Sequence, residues 1–474
     1  MDPQEYYQEI EERVRQGLFT RDAILNTLSD RIRNFGILED EEEQQLCKTF
    51  DSICTEENGT LYLSQPTFIS FLGRAGFLPS SMTEAGEILY RCLINPSQAP
   101  FYQKFRSEVD IGRVYEESED SRTRTPADTR RIIFESLATI RNDKKASSRE
   151  EVVQSRKQSE QKAFEFPAFH AHRREYAETN NDDDGDEVFH DLLDALFVAQ
   201  PTSKIWIAPV PRDCFRPLAR EIHHGGPYLH ELSIPVDGFR EFVEILLFAH
   251  CGKPNVPIEE MVGFGHAADC IFRRFVRDSD VGITWETFDQ ALAATPELLT
   301  GLKHILSCFY TTPDTDSLAQ RLPQPSNIAT LPVFTQLSTI LSDTVCFNQL
   351  QFYKCYNVRD ISLNASTLAD AISTAPDPLI LLISGKLTRT GEKAIFGYYL
   401  PWGGGDDASG LFLFQLSPFH DVFRGNGNRP GWVMENGEDI FGQRDNGVAL
   451  VATSWRRDWQ EEVEVEEIEI WVED

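Results

Sequence analysis

The chain has 474 residues, an ordinary apolar content of 41% and a formal net charge of −31. That length asks for two or three domains. The acidic surplus opposes a nucleic-acid partner and simple attraction to an anionic lipid surface, because both would repel it. No apolar run reaches the roughly 18 residues of a membrane-spanning helix. The opening Met1-Asp2-Pro3-Gln4-Glu5 is polar and acidic, unlike a signal or transit peptide, and lacks the glycine that N-myristoylation requires.

Residues 1–110 read as a helical unit. Ile24, Leu25, Leu28, Ile32 and Phe35 keep to one face at helical spacing, with Thr20 placed to cap. Leu46, Phe50 and Ile53 form a second stripe, Glu57-Asn58-Gly59 a turn, and Phe68, Phe71 and Leu72 a third stripe. Helix, acidic turn with glycine, helix is the outline of an EF-hand.

Residues 111–187 read as a connector, with one amphipathic helix around Ile132, Ile133, Leu137 and Ile140. Asn142 to Lys162 is charged with little to bury, and Asn180 to Glu187 is an acidic loop. Residues 188–315 turn helical again, as a second EF-hand-like unit. Phe239, Phe242, Val243, Leu246 and Leu247 share one face; Ala268, Ile271, Phe272 and Phe275 share another. Arg277 to Ile283 then makes a loop before Phe288 and Leu292.

After Pro323-Gln324-Pro325 the pattern becomes short apolar runs between Gly and Pro, which signals β structure. Strands are predicted at 379–383, 394–399, 411–416, 432–434, 448–452 and 463–472, with helices at 331–341 and 365–372. In the last strand Val463 and Val465 share one parity and Ile468, Ile470 and Val472 the other, which predicts a bulge near Glu466-Glu467.

Several pieces of this region, in order, resemble the TLDc family of oxidation-resistance-type proteins. They are Phe352 to Tyr356, Ile361-Ser362-Leu363, Pro378 to Ile383, Ile395 to Tyr399, Leu411 to Phe414, Phe441-Gly442, Val448-Ala449-Leu450 and the closing Ile468-Glu469-Ile470-Trp471. The resemblance covers residues 330–474. Asp360, Ser409-Gly410 and the acidic Glu461 to Glu467 depart from the family pattern. The helical front resembles the branch that includes the restriction-of-telomere-capping and mTOR-associated members. The resemblance implies a β-sandwich flanked by helices and a non-enzymatic role in oxidative-stress resistance or in binding the vacuolar proton-pumping ATPase. It places the protein in the cytoplasm, peripheral at the vacuolar or lysosomal membrane.

A calcium loop needs oxygen ligands at positions 1, 3, 5 and 12 and glycine at 6. The first loop supplies Cys54, Glu56, Asn58 and Gln65, and the second Val276, Asp278, Asp280 and Thr287. Neither carries carboxylates at its ends, so both read as EF-hand scaffolds without ions. Asn180, Asp182, Asp184 and Asp191, with Gly185, fit the ligand spacing better, but Glu187 stands where paired loops need an apolar residue. They are the metal candidates, set against a solvated acidic loop. His223, His224 and His230 lack zinc spacing. Gly263-Phe264-Gly265-His266-Ala267-Ala268 matches a nucleotide fingerprint in letters only, since no full strand precedes it.

No GxSxG or CxxC occurs. The nine scattered cysteines read as reduced thiols of a cytosolic protein. Trp402, beside Gly403-Gly404-Gly405, reads either as a partner contact or as core. The eight carboxylates from Glu461 to Asp474 read either as edge protection or as a dock for a basic surface. The expected protein is therefore α+β and multidomain, with two EF-hand-like units before a TLDc domain, no cofactor and no catalytic group. The alternative is a calcium-responsive EF-hand adaptor in stress or growth signalling.

Overall fold

The computed structural model describes residues 3–94 apart from 21–22, 25, 28–39 and 58–59; 126–140; 190–200; and 209–311 apart from 224–228, 230–231, 252–257 and 277–281. It further describes 322–401 apart from 342–344, 358–371 and 373; 412–448 apart from 425–431, 436–437, 442 and 445–446; and 463–473. The chain divides into two compact units that are discontinuous in sequence. One comprises Met1–Phe68, Leu89–Pro235 and Asp280–Trp285; the other comprises Ile69–Ile88, Val236–Ser279 and Glu286–Asp474.

In the first unit, helix α1 (Pro3–Arg15) starts on a proline, whose missing N–H costs nothing at that position. Its outer face pairs Arg13 with Glu9 and Arg15 with Glu11, one helical turn apart. Its inner face buries Tyr6 and Ile10 against Ile24, Leu193, Leu196, Val210 and Phe215. Gln200 is the polar pin of this core. It accepts from Val210 N at 2.8 Å and donates to Val210 O and Phe197 O, both at 3.0 Å.

Helix α2 (Asp40–Ile53) is followed by strands β1 (Thr55–Glu57) and β2 (Thr60–Tyr62), then by helices α3 (Gln65–Arg74) and α4 (Thr83–Ile94). The first expected EF-hand loop is therefore a self-paired hairpin, Thr55 opposite Tyr62. Cys54 and Gln65 flank it. Helix α5 (Pro126–Leu137) matches the predicted connector helix, and β3 (Thr139–Ile140) follows it. Helices α6 (His190–Val198) and α7 (Arg216–His223) lead to β4 (Leu232–Ser233), which pairs with β3.

The second expected loop differs. Ile234 and Ile283 exchange both main-chain hydrogen bonds at 2.9 Å, and Ile283 is wholly buried. Gly282 sits at φ +79°, where a Cβ would lie 2.8 Å from Ile234 O, so this turn needs glycine.

In the second unit, helices α8 (Phe239–His250), α9 (Ile258–Phe275), α10 (Trp285–Ala294) and α11 (Thr300–Ser307) form a helical layer. Helix α12 (Leu331–Leu341) lies inside, with all eleven residues buried. A helix buried on every side must satisfy its polar groups internally. Thr335 and Thr339 donate to carbonyls one turn back, Ser338 does likewise, and Gln336 donates to Leu416 O at 2.9 Å.

One face of α12 meets a six-stranded antiparallel sheet. Its strands are β5 (Leu350–Asn357), β6 (Leu379–Leu387), β7 (Lys393–Leu400), β8 (Phe412–Ser417), β9 (Asp421–Arg424) and β14 (Val463–Glu473), in the order β5-β14-β6-β7-β8-β9. Two hairpins, β10 (Trp432–Glu435) with β11 (Glu438–Phe441) and β12 (Gln443–Arg444) with β13 (Gly447–Val448), stand apart from it. Alternation along the strands sends Ile380, Leu382, Ile395, Phe414 and Trp471 toward α12, and Leu381, Ile383, Phe396, Ile468 and Ile470 to the other face. The predicted bulge is present, as a register shift between Val465 and Glu467. The α+β class holds. The expected sandwich is, among the described residues, one large sheet covered by a buried helix.

Candidate functional site

The densest polar chemistry lies where α9 meets the turn between β8 and β9. His266, Cys270, Arg273 and Arg274 recur at helical spacing and so share one face of α9. His266 Nε2 lies 3.0 Å from Ser417 Oγ. Arg273 donates to Pro418 O at 3.2 Å, and Arg274 pairs with Asp421 while lying over the Phe419 ring. The main-chain N–H of His420 donates to Cys270 O at 3.0 Å.

A histidine on a serine invites a nucleophile reading, and proton counting rejects it. Ser417 Oγ donates its single proton to Lys393 O at 2.7 Å. His266 Nε2 must then be the donor to Oγ and cannot take a proton from it. Burial also holds the His266 pKa below its ordinary value. The adjacent carboxylate, Asp269, is committed to Arg240 of α8. The arrangement holds the turn in place and does not activate an alcohol.

The thiols point the same way. Burial pushes Cys270 up to about 12, and burial with the nearby Glu467 pushes Cys355 up to about 12. Cys346 is raised by its hydrogen bond to Glu473, and Cys92 and Cys308 are raised by burial. A reactive cysteine needs the opposite shift. Among the described residues no group of three or more His, Cys, Asp or Glu is placed to hold a metal.

The carboxylates of β14 correct one expectation. This strand is internal, paired with β5 on one side and β6 on the other, so its acids guard no edge. Glu469 is 1% exposed and accepts from Ile328 N, Ala329 N, Ser326 Oγ and Trp471 Nε1, at 2.6 to 3.2 Å. Glu467 accepts from Asn327, and Glu473 from Cys346 N at 3.1 Å. The acids thus hold the chain on both sides of α12. Only Glu464 is plainly exposed within the described strand, and Glu466 pairs with Lys386.

The exposed large apolar side chains of the sheet are Phe352 and Tyr353, on β5. Phe352 stands edge-on to Trp471 with ring centroids 5.4 Å apart. Adjacent aromatics on a strand cannot both face one core. That adjacency is the sequence signal for a contact surface on β5, distinct from the one that Trp402 offers. Trp402 lies outside the described residues, as do Asn180, Asp182 and Asp184; of Asp191 only the backbone, in α6, is described. Gly263 and Gly265 lie inside α9, packed on Pro332 and Arg240, and cradle no phosphate.

The C-terminal region thus combines a six-stranded antiparallel sheet whose final strand is internal with a wholly buried helix on one face. Residues 322–473 match the family model described as TLDc domain, and the C-terminal part of this chain is a TLDc domain. Two curated relatives are both named "Restriction of telomere capping protein 5". The one from Leptosphaeria maculans is 24% identical, with 44% of this chain and 44% of that protein covered. The one from Fusarium vanettenii is 24% identical, with 42% of this chain and 41% of that protein covered. The chain thus spans under half the length of the curated relatives it matches.

Proposed function

We propose that this protein is a non-enzymatic regulator that acts by binding another protein through its TLDc domain, with the vacuolar proton-pumping ATPase as the partner and oxidative-stress resistance as the setting. The observation that carries this reading is the TLDc match over residues 322–473. The committed hydroxyl of Ser417 and the raised thiols support a role without turnover. The protein works in the cytoplasm, peripheral at the vacuolar membrane, and no helix among the described residues is long and apolar enough to cross a membrane. Residues 1–110 and 188–315 serve as two EF-hand-like helical units before the TLDc domain.

The test is an affinity pull-down of the full chain from cytosol and from vacuolar membranes. Enrichment of pump subunits, lost on Phe352→Ser with Tyr353→Ser, is expected. Absence of pump subunits from both fractions counts against the reading.

The bridge between Ile234 and Ile283 favours one second reading, a calcium-responsive adaptor with paired loops. Calorimetry on the full chain decides it, since the reading requires heat on adding calcium. Val276 and Thr287 at the loop ends lead us to expect none.

A further inference from the structure

His420 is wholly buried, and neither ring nitrogen has a hydrogen-bond partner. A neutral imidazole carries one donor and one acceptor, and leaving both unmade in a buried site is unusual in a folded protein. The ring sits in the seam between α9 and the turn Ser417–Asp421. The groups facing that seam from α9 are His266, Asp269, Cys270, Arg273 and Arg274. From the sheet they are Asp421 on β9, with Glu392 and Lys393 at the start of β7.

The one carboxylate buried in the seam, Asp421, is committed to Arg274 and to its neighbour's N–H at Val422. Asp269 is held by Arg240, and Glu392 lies 4.0 Å from Arg273 at the exposed end. Among the described residues facing the seam, no acid is left over to balance a second cation beside Arg274.

We propose that this seam is an acid-labile clasp, in which protonation of His420 opens the contact between α9 and the β8–β9 turn. A charged ring in the closed seam would carry two unmade N–H donors and sit beside Arg274. In the open state the same ring reaches water and titrates normally. Burial first, and Arg274 second, hold the closed-state pKa down at about 3. The open state therefore binds the extra proton between pH ~6.5 and ~3, and the closed state loses stability as pH falls through that window. The clasp is shut at neutral pH and loosens on acidification, separating Arg274 from Asp421 and uncovering the α9 face.

Hydrogen exchange on the full chain tests this, followed on peptides spanning residues 264–275 and 412–424 from pH 7.5 to 5 and corrected for intrinsic exchange. The opening equilibrium should rise about tenfold per pH unit below ~6.5. His420→Gln and His420→Phe should each flatten that slope, while Asp421→Asn should keep it. A slope that survives both histidine variants, its absence in the unmodified chain, or its loss only with Asp421→Asn overturns the proposal. Should neither histidine variant fold, imidazole NMR of the unmodified chain decides. A His420 ring unshifted between pH 7 and 5 in the closed state is expected, and a midpoint near ~6.5 overturns the clasp.

Discussion

Arg274 and Asp421 are 147 residues apart in sequence and form an ion pair whose side chains are only 16% and 3% exposed. Burying such a pair is costly, but removing one member costs more, because the other keeps an uncompensated charge. Arg274→Ala should therefore destabilise the C-terminal unit by about 3–5 kcal/mol, and pairing it with Asp421→Asn should restore part of the loss. Urea unfolding followed by tryptophan fluorescence gives both numbers; equal losses in the single and double variants would refute the pair's role.

Glu469 is the second buried charge, neutralised by hydrogen bonds instead of a cation. Glu469→Ala removes the acceptor of Ile328 N, Ser326 Oγ and Trp471 Nε1, while Ala329 N keeps its bond to Ser326 Oγ at 3.0 Å. Each unsatisfied buried group costs about 1–3 kcal/mol, so a loss of at least ~3 kcal/mol is expected. Glu469→Gln, which keeps one acceptor oxygen, should lose less. Thermal unfolding ranks the variants, and a neutral Glu469→Ala would contradict the contacts described above.

The Cys355 thiol is exposed but should react slowly. With its pKa near 12, its thiolate fraction at pH ~8 lies about three orders of magnitude below that of an ordinary cysteine. Its Sγ lies 3.1 Å from Glu467 Oε1, so Glu467→Gln should speed alkylation. Mass spectrometry of iodoacetamide-treated protein measures both, and fast labelling of Cys355 in the unmodified chain would contradict the assignment.

His250, on α8, is held between Leu298 O at 3.4 Å and Ser338 Oγ at 3.3 Å, with the His304 ring 5.4 Å away. Burial first, then His304, lowers its pKa to about 4. The unfolded chain therefore binds the extra proton between pH ~6.5 and ~4, and stability is lost as pH falls through that interval. The melting temperature should drop from pH 7 to pH 5, and His250→Asn should reduce the drop. An unchanged drop in that variant would assign the effect elsewhere.

Much of the C-terminal architecture was legible in the residues. Short apolar runs between Gly and Pro located β6, β7, β8 and β14 within a residue or two at most starts, and the parity change in β14 located its bulge. The all-apolar run in β6 follows from burial on both faces. The pairing of β14 was not legible, since local pattern sets which face a side chain takes but not which strand lies beside it. The acids there read as solvent-facing until Ser326, Asn327 and Cys346 supplied their partners from over a hundred residues away. The α9 seam was hidden for the same reason: His266, Cys270, Arg273 and Arg274 look like the polar side of an amphipathic helix. The EF-hand outline was half legible. Its flanking helices formed, while Thr55–Glu57 paired with Thr60–Tyr62 as a hairpin, although Glu56 and Glu57 are poor strand formers.

The place of β14 in the sheet has a consequence for biosynthesis. Strand β5 finds its ladder partner only in residues 467–473. At a ribosomal pace of about 5–20 residues per second, it must wait ~5–20 s after emerging before that partner exists. Throughout that interval β5 has no β14 to pair with and Phe352 no Trp471 to rest on. A nascent chain of this protein is thus most open to chaperone capture, or to pairing with a neighbouring polysome product, while residues 358–466 are being synthesised.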